Sequence, residues 1–589
     1  MRSWKLSRGF ATLVCLVSLA GCDASGGGGY ATNGAPQSCA EALSCWDRCV
    51  CSTGDEQACL AACDGDQGGA GGSGWPGGDG GSGAGPSETG GNGGAGGSDL
   101  PPSSTGGTTG SPGSGGSPNP PEPDPQPVAG LDLLEISAWQ SVKIKLMRDG
   151  QSLTDSLNAP VVAGRDALLR VYVQKEAEWE QRAVQAKLYI DGVEQGAQTF
   201  TPSGESNAAD LSSSINFQVP GSLITKSAKY SVALFELDQS QHPGTVEGSR
   251  YPADGDTLLG ASEVNGAFKV TLVPVTINGY TPDTSPGRIE AYREQLKAMF
   301  PVADIELNVR ETVGYGGNVT ASSGWGNLLD TVQALRQDDN PAPNTYYYGL
   351  LTPAPSMGSF CSGGCTAGLG SVPGPNSDYY RGAIGLGFFP DGSFGGSPDT
   401  MAHELGHALG RPHAPCGGAG GPDGNYPYSG GEIGSWGFDQ RSGQPLSPSG
   451  LYDFMGYCDP TWISDYNYSL LFERVSYVNA NPKLISNDPL RKAGSFASYS
   501  VSAAGKLEAL GVVELRQSAM GEAREVDVVL TSGEHTRLTG YYTPYADAEL
   551  GGHLLVPRRG LNVQSVTRRL GNAVEGFIPA ASDVPRLTR

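Results

Sequence analysis

The chain has 589 residues, enough for three or four domains of ordinary size and for a sizeable core. Glycine, at 89 residues, is far above ordinary usage, so a glycine-rich segment must dilute otherwise normal domains, while 38% hydrophobic residues, with 24 Tyr and 8 Trp, exclude a wholly disordered protein. The net charge of -23 repels nucleic-acid phosphates and anionic lipid headgroups, which argues against nucleic acid as a partner and suits the solubility of a secreted protein.

At the N-terminus Arg2, Lys5 and Arg8 precede an apolar run from Phe10 to Ala20, too short to span a bilayer and laid out as a secretory signal over residues 1–21. The run ends Leu19-Ala20-Gly21-Cys22, which resembles the lipobox of bacterial lipoproteins. That resemblance implies cleavage before Cys22, lipidation of its thiol, and a chain held at the bacterial cell envelope by acyl chains. An ordinary signal peptide with a stray cysteine is the alternative. Asp23 resembles the inner-membrane retention signal of enteric bacteria, a rule that does not transfer safely, so the choice of membrane is left open.

Of the 12 cysteines, Cys15 falls in the signal and Cys22 is the expected anchor, leaving an even number for disulfides in an oxidising compartment. Cys39, Cys45, Cys49, Cys51, Cys59 and Cys63 crowd into the module 22–64. Cys45 and Cys49 are four apart, as are Cys59 and Cys63, and residues four apart share a helix face. The simplest arrangement is a helical hairpin stapled Cys45 to Cys63 and Cys49 to Cys59, with Cys39 to Cys51, although six cysteines allow about fifteen pairings and thiol metal binding is the alternative. Residues 65–127 are almost all Gly, Ser, Pro, Thr and acidic side chains, the composition of a flexible tether with a root-mean-square reach of about 45 Å.

Over 128–266 the pattern turns to period two, with Val142, Ile144 and Leu146 alternating with lysines and Leu169, Val171 and Val173 forming a second such run. Further strands over 186–190, before the turn Asp191-Gly192, and over 230–237 suggest a β-sandwich of immunoglobulin-like type. From 267 to 480 strands alternate with helices: strands over 268–277, 305–309, 346–351, 366–372 and 383–389, a helix over 288–300, and a second marked by Leu328, Leu329, Val332 and Leu335. This order predicts a mixed α/β sandwich with helices on one side of a twisted sheet. Strands return over 511–515, 525–530 and 553–556, predicting a β domain over 481–589. The expected fold class is therefore multidomain α+β, an α/β unit flanked by β-sandwich-type domains.

The chemistry lies in residues 403–413, His-Glu-Leu-Gly-His-Ala-Leu-Gly-Arg-Pro-His, which hold three of the chain's 6 histidines. His403 and His407 are one helical turn apart and face the same way, as two ligands of one tetrahedral zinc must, and Glu404 reaches a neighbouring water without occupying the metal. Ser397 is a good N-cap for that helix and Pro398 suits its first position. Gly410 is free to take positive φ, which turns the chain back so that His413 closes the set. Three imidazoles leave a fourth position open, the catalytic rather than the structural arrangement. Surface histidines on a helix are the plainer alternative.

This pattern resembles the H-E-x-x-H-x-x-G-x-x-H zinc signature of the metzincin metalloendopeptidases. Asp453-Phe454-Met455-Gly456-Tyr457-Cys458 resembles their methionine turn, with Met455 as the base of the site. Tyr457 matches the tyrosine that astacin-like and serralysin-like members place near the metal, whereas Ala414 after the third histidine leaves the subfamily unassigned. The resemblance spans about 268–480 and says nothing of the flanking β domains. It implies one catalytic zinc on His403, His407 and His413, which lowers the pKa of bound water to about 7, Glu404 as the proton carrier, and Tyr457 as an aid to the oxyanion. It also implies a sheet-edge strand pairing with substrate backbone, for which 366–372 is the expected segment. The architecture further brings Cys416 and Cys458 together, leaving Cys361 to pair with Cys365. Asp423, Glu432 and Asp439 in the glycine-rich loop after His413 offer carboxylates for calcium, but without a spaced ligand motif a solvated loop is the plainer reading. The expected function is an exported, lipid-anchored zinc endopeptidase acting on protein or glycoprotein, of open oligomeric state. A surface adhesin using the same fold for recognition alone is the alternative.

Overall fold

The computed structural model describes residues 124–388, 396–481, 494–515, 519–530, 532–547, 551–558, 563–570, 573–579 and 587–588. The signal segment, Cys22, the six cysteines from Cys39 to Cys63 with their expected hairpin, and the tether up to position 123 lie outside the described residues. What is described belongs to one compact unit, is mostly β, and carries few helices.

Alternating apolar side chains build the first layer. β1 (Leu131–Arg148), β2 (Ala167–Lys175) and β5 (Ile215–Val219) form one antiparallel sheet; β3 (Val184–Ile190) pairs with β4 (Val193–Phe200) and β6 (Lys229–Glu236) in another. Along β3, Val184, Ala186, Leu188 and Ile190 point inward and the residues between them do not, the period-two signature of a half-buried strand. These side chains share a core with Val142, Ile144, Leu169 and Val171 of the facing sheet. Asp191 and Gly192, both at positive φ, close the β3–β4 hairpin.

The second layer runs β7 (Phe268–Thr276), α1 (Pro286–Met299), β8 (Ile305–Val309), β9 (Val313–Tyr315), α2 (Trp325–Asp339), β10 (Thr345–Leu351), α3 (Met357–Phe360), β11 (Gly368–Gly370), β12 (Gly382–Leu386) and α4 (Gly396–Ala408). The sheet order is β11-β12-β10-β7-β9, with β8 also beside β7; β11 alone of these pairs antiparallel, at the edge. Helices cover both faces of this sheet, not one as the order of elements suggested. Tyr292, Leu296 and Met299 of α1 and Met401 and Leu405 of α4 pack on the face of Val270, Leu272, Tyr348 and Leu350. Leu328, Leu329 and Val332 of α2 pack on the opposite face, with Val273, Val275, Tyr347 and Leu351. The physical reason is visible in β10, buried at every one of its 7 positions: parallel strands of this kind need apolar cover on both sides. Each fully buried side chain of this size contributes about 2 kcal/mol of hydrophobic free energy.

Two long-range pairings cross the expected boundaries. β13 (Gly437–Asp439) and β14 (Gln444–Leu446) extend the N-terminal sheet, with Ser141 opposite Phe438 and Val142 opposite Gly437. After α5 (Asp465–Ala480), the strands β15 (Gly494–Val501), β16 (Leu507–Leu515), β17 (Glu522–Leu530), β18 (His535–Pro544), β19 (Gly552–Pro557), β20 (Val563–Leu570) and β21 (Ala573–Pro579) form one antiparallel sheet in the order β16-β15-β19-β18-β17-β20-β21. Leu587–Thr588 then returns to pair with β9. The boundaries at 266 and 480 therefore separate textures of sequence rather than whole sheets. Arg165 fastens the N-terminal layer to the next, donating to the carbonyls of Lys297, Ala298 and Val302 at the negative end of α1.

Candidate active site

α4 carries His403, Glu404 and His407 across the sheet. It begins at Gly396, so Ser397 lies within the first turn rather than capping it. The Ser397 hydroxyl is used in tertiary packing instead, donating to the Leu386 carbonyl and bonding the Tyr292 phenol, each at 2.5 Å. At the other end Gly410 sits at φ +83°, where an added Cβ would collide with the Arg474 guanidinium. The Gly410 N–H donates to the His407 carbonyl and that of Arg411 to the Gly406 carbonyl, satisfying the helix end as the chain reverses toward His413.

The three histidines converge: their ligand nitrogens all lie within 4.8 Å of one another. Each Nδ1 sits 2.6 Å from a main-chain carbonyl oxygen, that of Phe454 for His403, Arg411 for His407 and Gly420 for His413. Those carbonyls fix the tautomer, with Nδ1–H donating and Nε2 left as a lone pair. The Nε2 atoms of His403 and His407 then stand 2.9 Å apart with no proton between them, and the buried Nε2 of His413 has no hydrogen-bond partner. Burial pushes all three imidazoles below their ordinary pKa, His403 to about 3, so they are neutral near pH 7. Three neutral, convergent lone pairs with oriented rings fit a divalent zinc ion.

Glu404 is buried against the edge strand. Its carboxyl group accepts the N–H of Gly370, and burial, with the nearby Asp547 adding, raises its pKa well above the usual carboxylate range. A Cβ on Gly368 would stand 2.5 Å from Glu404 Cγ and one on Gly370 would stand 2.8 Å from the Glu404 carbonyl oxygen. These two glycines let β11 and α4 touch, and sequence reading passed over them; the signal available was glycine at alternate positions of a strand, which marks close backbone approach.

Met455 is fully buried beneath α4, against Gly406. Its turn is held by the buried carboxylate of Asp453, which accepts from the N–H groups of Met455 at 2.8 Å and Ser464 at 3.0 Å, from Asn467 Nδ2 at 2.8 Å and from the Ser464 hydroxyl. Asn467 in turn accepts from Arg411 Nε at 2.7 Å, tying the methionine turn to the residue whose carbonyl orients His407. This role of Asp453, Asn467 and Arg411 was not read from sequence; Arg411 and Asn467 meet across a separation of 56 residues. Tyr457 is 48% exposed at the rim, its ring centroid 4.8 Å from that of His413 and 5.8 Å from that of His403. Cys416 and Cys458 are joined, with Cα atoms 5.6 Å apart, and Cys361 and Cys365 likewise, at 4.9 Å.

The three loop carboxylates are not gathered. Asp423 is paired with Arg411 at 2.6 Å and Asp439 with Arg441 at 2.9 Å, while Glu432 joins neither pair. The charges of Asp423 and Asp439 face guanidinium groups, and among the described residues the cluster of metal-ligating side chains is the histidine trio.

No curated protein and no solved structure matches the chain. Residues 374–449, which contain His403, Glu404, His407 and His413, match the family model Peptidase M66, and that match supports a peptidase function.

Proposed function

We propose that the chain is an exported, membrane-anchored zinc endopeptidase of metzincin type, acting on protein or glycoprotein. The observation that carries this reading is the convergence of three neutral imidazoles beside a buried Glu404 that bonds the edge strand β11. Zinc held by His403, His407 and His413 would supply Lewis acidity toward a peptide carbonyl. The outer edge of β11 offers main-chain groups for pairing with an extended substrate strand. Glu404, next to His403 on α4 and against Gly368 and Gly370 of β11, is placed to take a proton from the attacking water in its ionised form and return it to the leaving amine. The phenol of Tyr457, at the rim beside His413, is suited to donate to the developing oxyanion. Cys22 would hold the whole chain at the cell envelope.

Metal analysis and cleavage of fluorescein-labelled casein, with and without chelator, test the reading. One zinc per chain is expected, lost in His413→Ala. Glu404→Gln should keep the zinc and lose a factor of about 10² or more in cleavage rate. A folded, zinc-free parent that cleaves casein, or parental cleavage by Glu404→Gln, would overturn it.

A further inference from the structure

β11 is the strand expected to receive substrate, yet part of its outer edge is already occupied by the chain itself. The Ala546 N–H donates to the Gly370 carbonyl at 2.9 Å, and Tyr545 forms an antiparallel bridge with Ser371. Because the pairing is antiparallel, moving from Tyr545 to Asp547 retraces β11 from Ser371 toward Leu369 and Gly368. That is the direction of Glu404, since Gly368 and Gly370 are the residues that touch it.

The segment is also well fixed. Tyr545 is buried, its N–H donates to Gly551, and its phenol packs so tightly on α2 that a Cβ at Gly326 would stand 2.6 Å from it. The sheet that carries it is fastened to the same helix through His553, whose Nε2 is 2.8 Å from Asp330 and whose Nδ1 is 2.8 Å from the Tyr380 phenol.

A strand edge accepts one partner at a time. With the Gly370 carbonyl taken by Ala546, an incoming peptide has no acceptor there until Ala546 leaves. We propose that Tyr545, Ala546 and Asp547 form an internal blocking strand, by which the C-terminal sheet holds the substrate edge of β11 closed and keeps the peptidase latent. The proposal rests on the peptidase reading. A peptide strand that competes for the Gly370 carbonyl opens the site, and its apparent affinity is reduced by the fraction of molecules in which the edge is free.

Two variants of the full chain separate this from a mere domain contact. Ala546→Pro removes the N–H that Gly370 accepts, and Tyr545→Ala removes the buried ring that fastens the segment to α2. Cleavage of fluorescein-labelled casein is measured for each, and binding of the same casein is followed by anisotropy with Glu404→Gln added to prevent turnover. Both variants should raise binding, and the initial cleavage rate, about tenfold, as expected if roughly one parent molecule in ten is open. Binding and cleavage within twofold of the parent in both variants, or lowered in both, would overturn the blocking strand. Tighter binding with no cleavage by any protein would uphold the blocking strand and sink the peptidase reading instead.

Discussion

A Cβ placed on Gly406 would stand 2.5 Å from the sulfur of Met455. α4 and the turn that carries Met455 therefore meet where no side chain fits, between His403 and His407. The contact also sets the distance from α4 to the Phe454 carbonyl that orients His403. Gly406→Ala must push the turn away, at a cost of about 1–3 kcal/mol for overpacking. It should lower both the thermal midpoint and the affinity for zinc. Met455→Leu, nearly equal in volume, should cost less than about 1.5 kcal/mol. Equal melting temperatures for Gly406→Ala and the parent would show that the helix and turn are not in firm contact.

The bond between Cys416 and Cys458 closes a loop of sequence separation 42, for which the chain-entropy estimate is about 4 kcal/mol. Around it the Ala414 N–H donates to the Met455 carbonyl and the Tyr457 N–H to that of Cys416, so the third histidine's loop and the methionine turn are joined at three points. Replacing both cysteines by serine should reduce stability and hasten zinc loss to a chelator. A lowered melting temperature with an unchanged rate of zinc release would mean that the bridge supports the fold but not the site.

No helix among the described residues is long and apolar enough to cross a membrane. If Cys22 carries the anchor, Cys22→Ser should move the protein from the membrane fraction to the soluble one. Retention in the membrane after that substitution would require a different attachment.

The residues that lie close together in sequence were the legible ones. One helical turn separates His403 from His407, and the positive φ of Gly410 follows from the need to reverse the chain before His413. What was not legible depends on pairing across long separations. Nothing in the local period of β7 says that its two faces will meet different helices, since a strand buried on both sides loses the alternation that would mark its outside. The pairing of Ser141 with Phe438, and of Ser371 with Tyr545, joins segments hundreds of residues apart or in different textures of sequence. Ser397 carries the right chemistry for a cap, but its hydroxyl finds a carbonyl on β12 instead, a tertiary choice that propensity does not anticipate. Asp423 reads in isolation as a solvated loop carboxylate, or at most a cation ligand; only the fold brings Arg411 to it.

Asp378, in the loop between β11 and β12, tests whether a buried charged anchor supports the edge strand. Its carboxylate accepts from Arg336 Nη2 at 2.8 Å, Arg381 Nη1 at 3.2 Å and Gln337 Nε2 at 3.2 Å, and both guanidinium groups are almost fully buried. Burial alone would raise the pKa of this carboxyl, but Arg336, and then Arg381, outweigh it and hold the value below the ordinary one. A carboxyl depressed on folding contributes stability above its unfolded pKa of about 3.9, and the contribution is lost as the pH falls through the folded value. Asp378→Asn leaves two buried cations without their counter-charge, so near pH 7 it should cost about 3 kcal/mol. Below about pH 4 the Asp378 carboxyl of the unfolded parent begins to take up a proton while the folded one still holds its charge, so the difference between parent and variant should shrink until the pH passes the folded value. Denaturant midpoints of both proteins, measured from pH 7 down to about pH 3, give the comparison. A gap that stays constant across that range would show that the ion pair with Arg336 and Arg381 is not what holds the loop. A gap that closes, together with weaker casein cleavage by the variant at neutral pH, would tie the pair to β12 and, through its antiparallel partner β11, to the strand that Glu404 leans on.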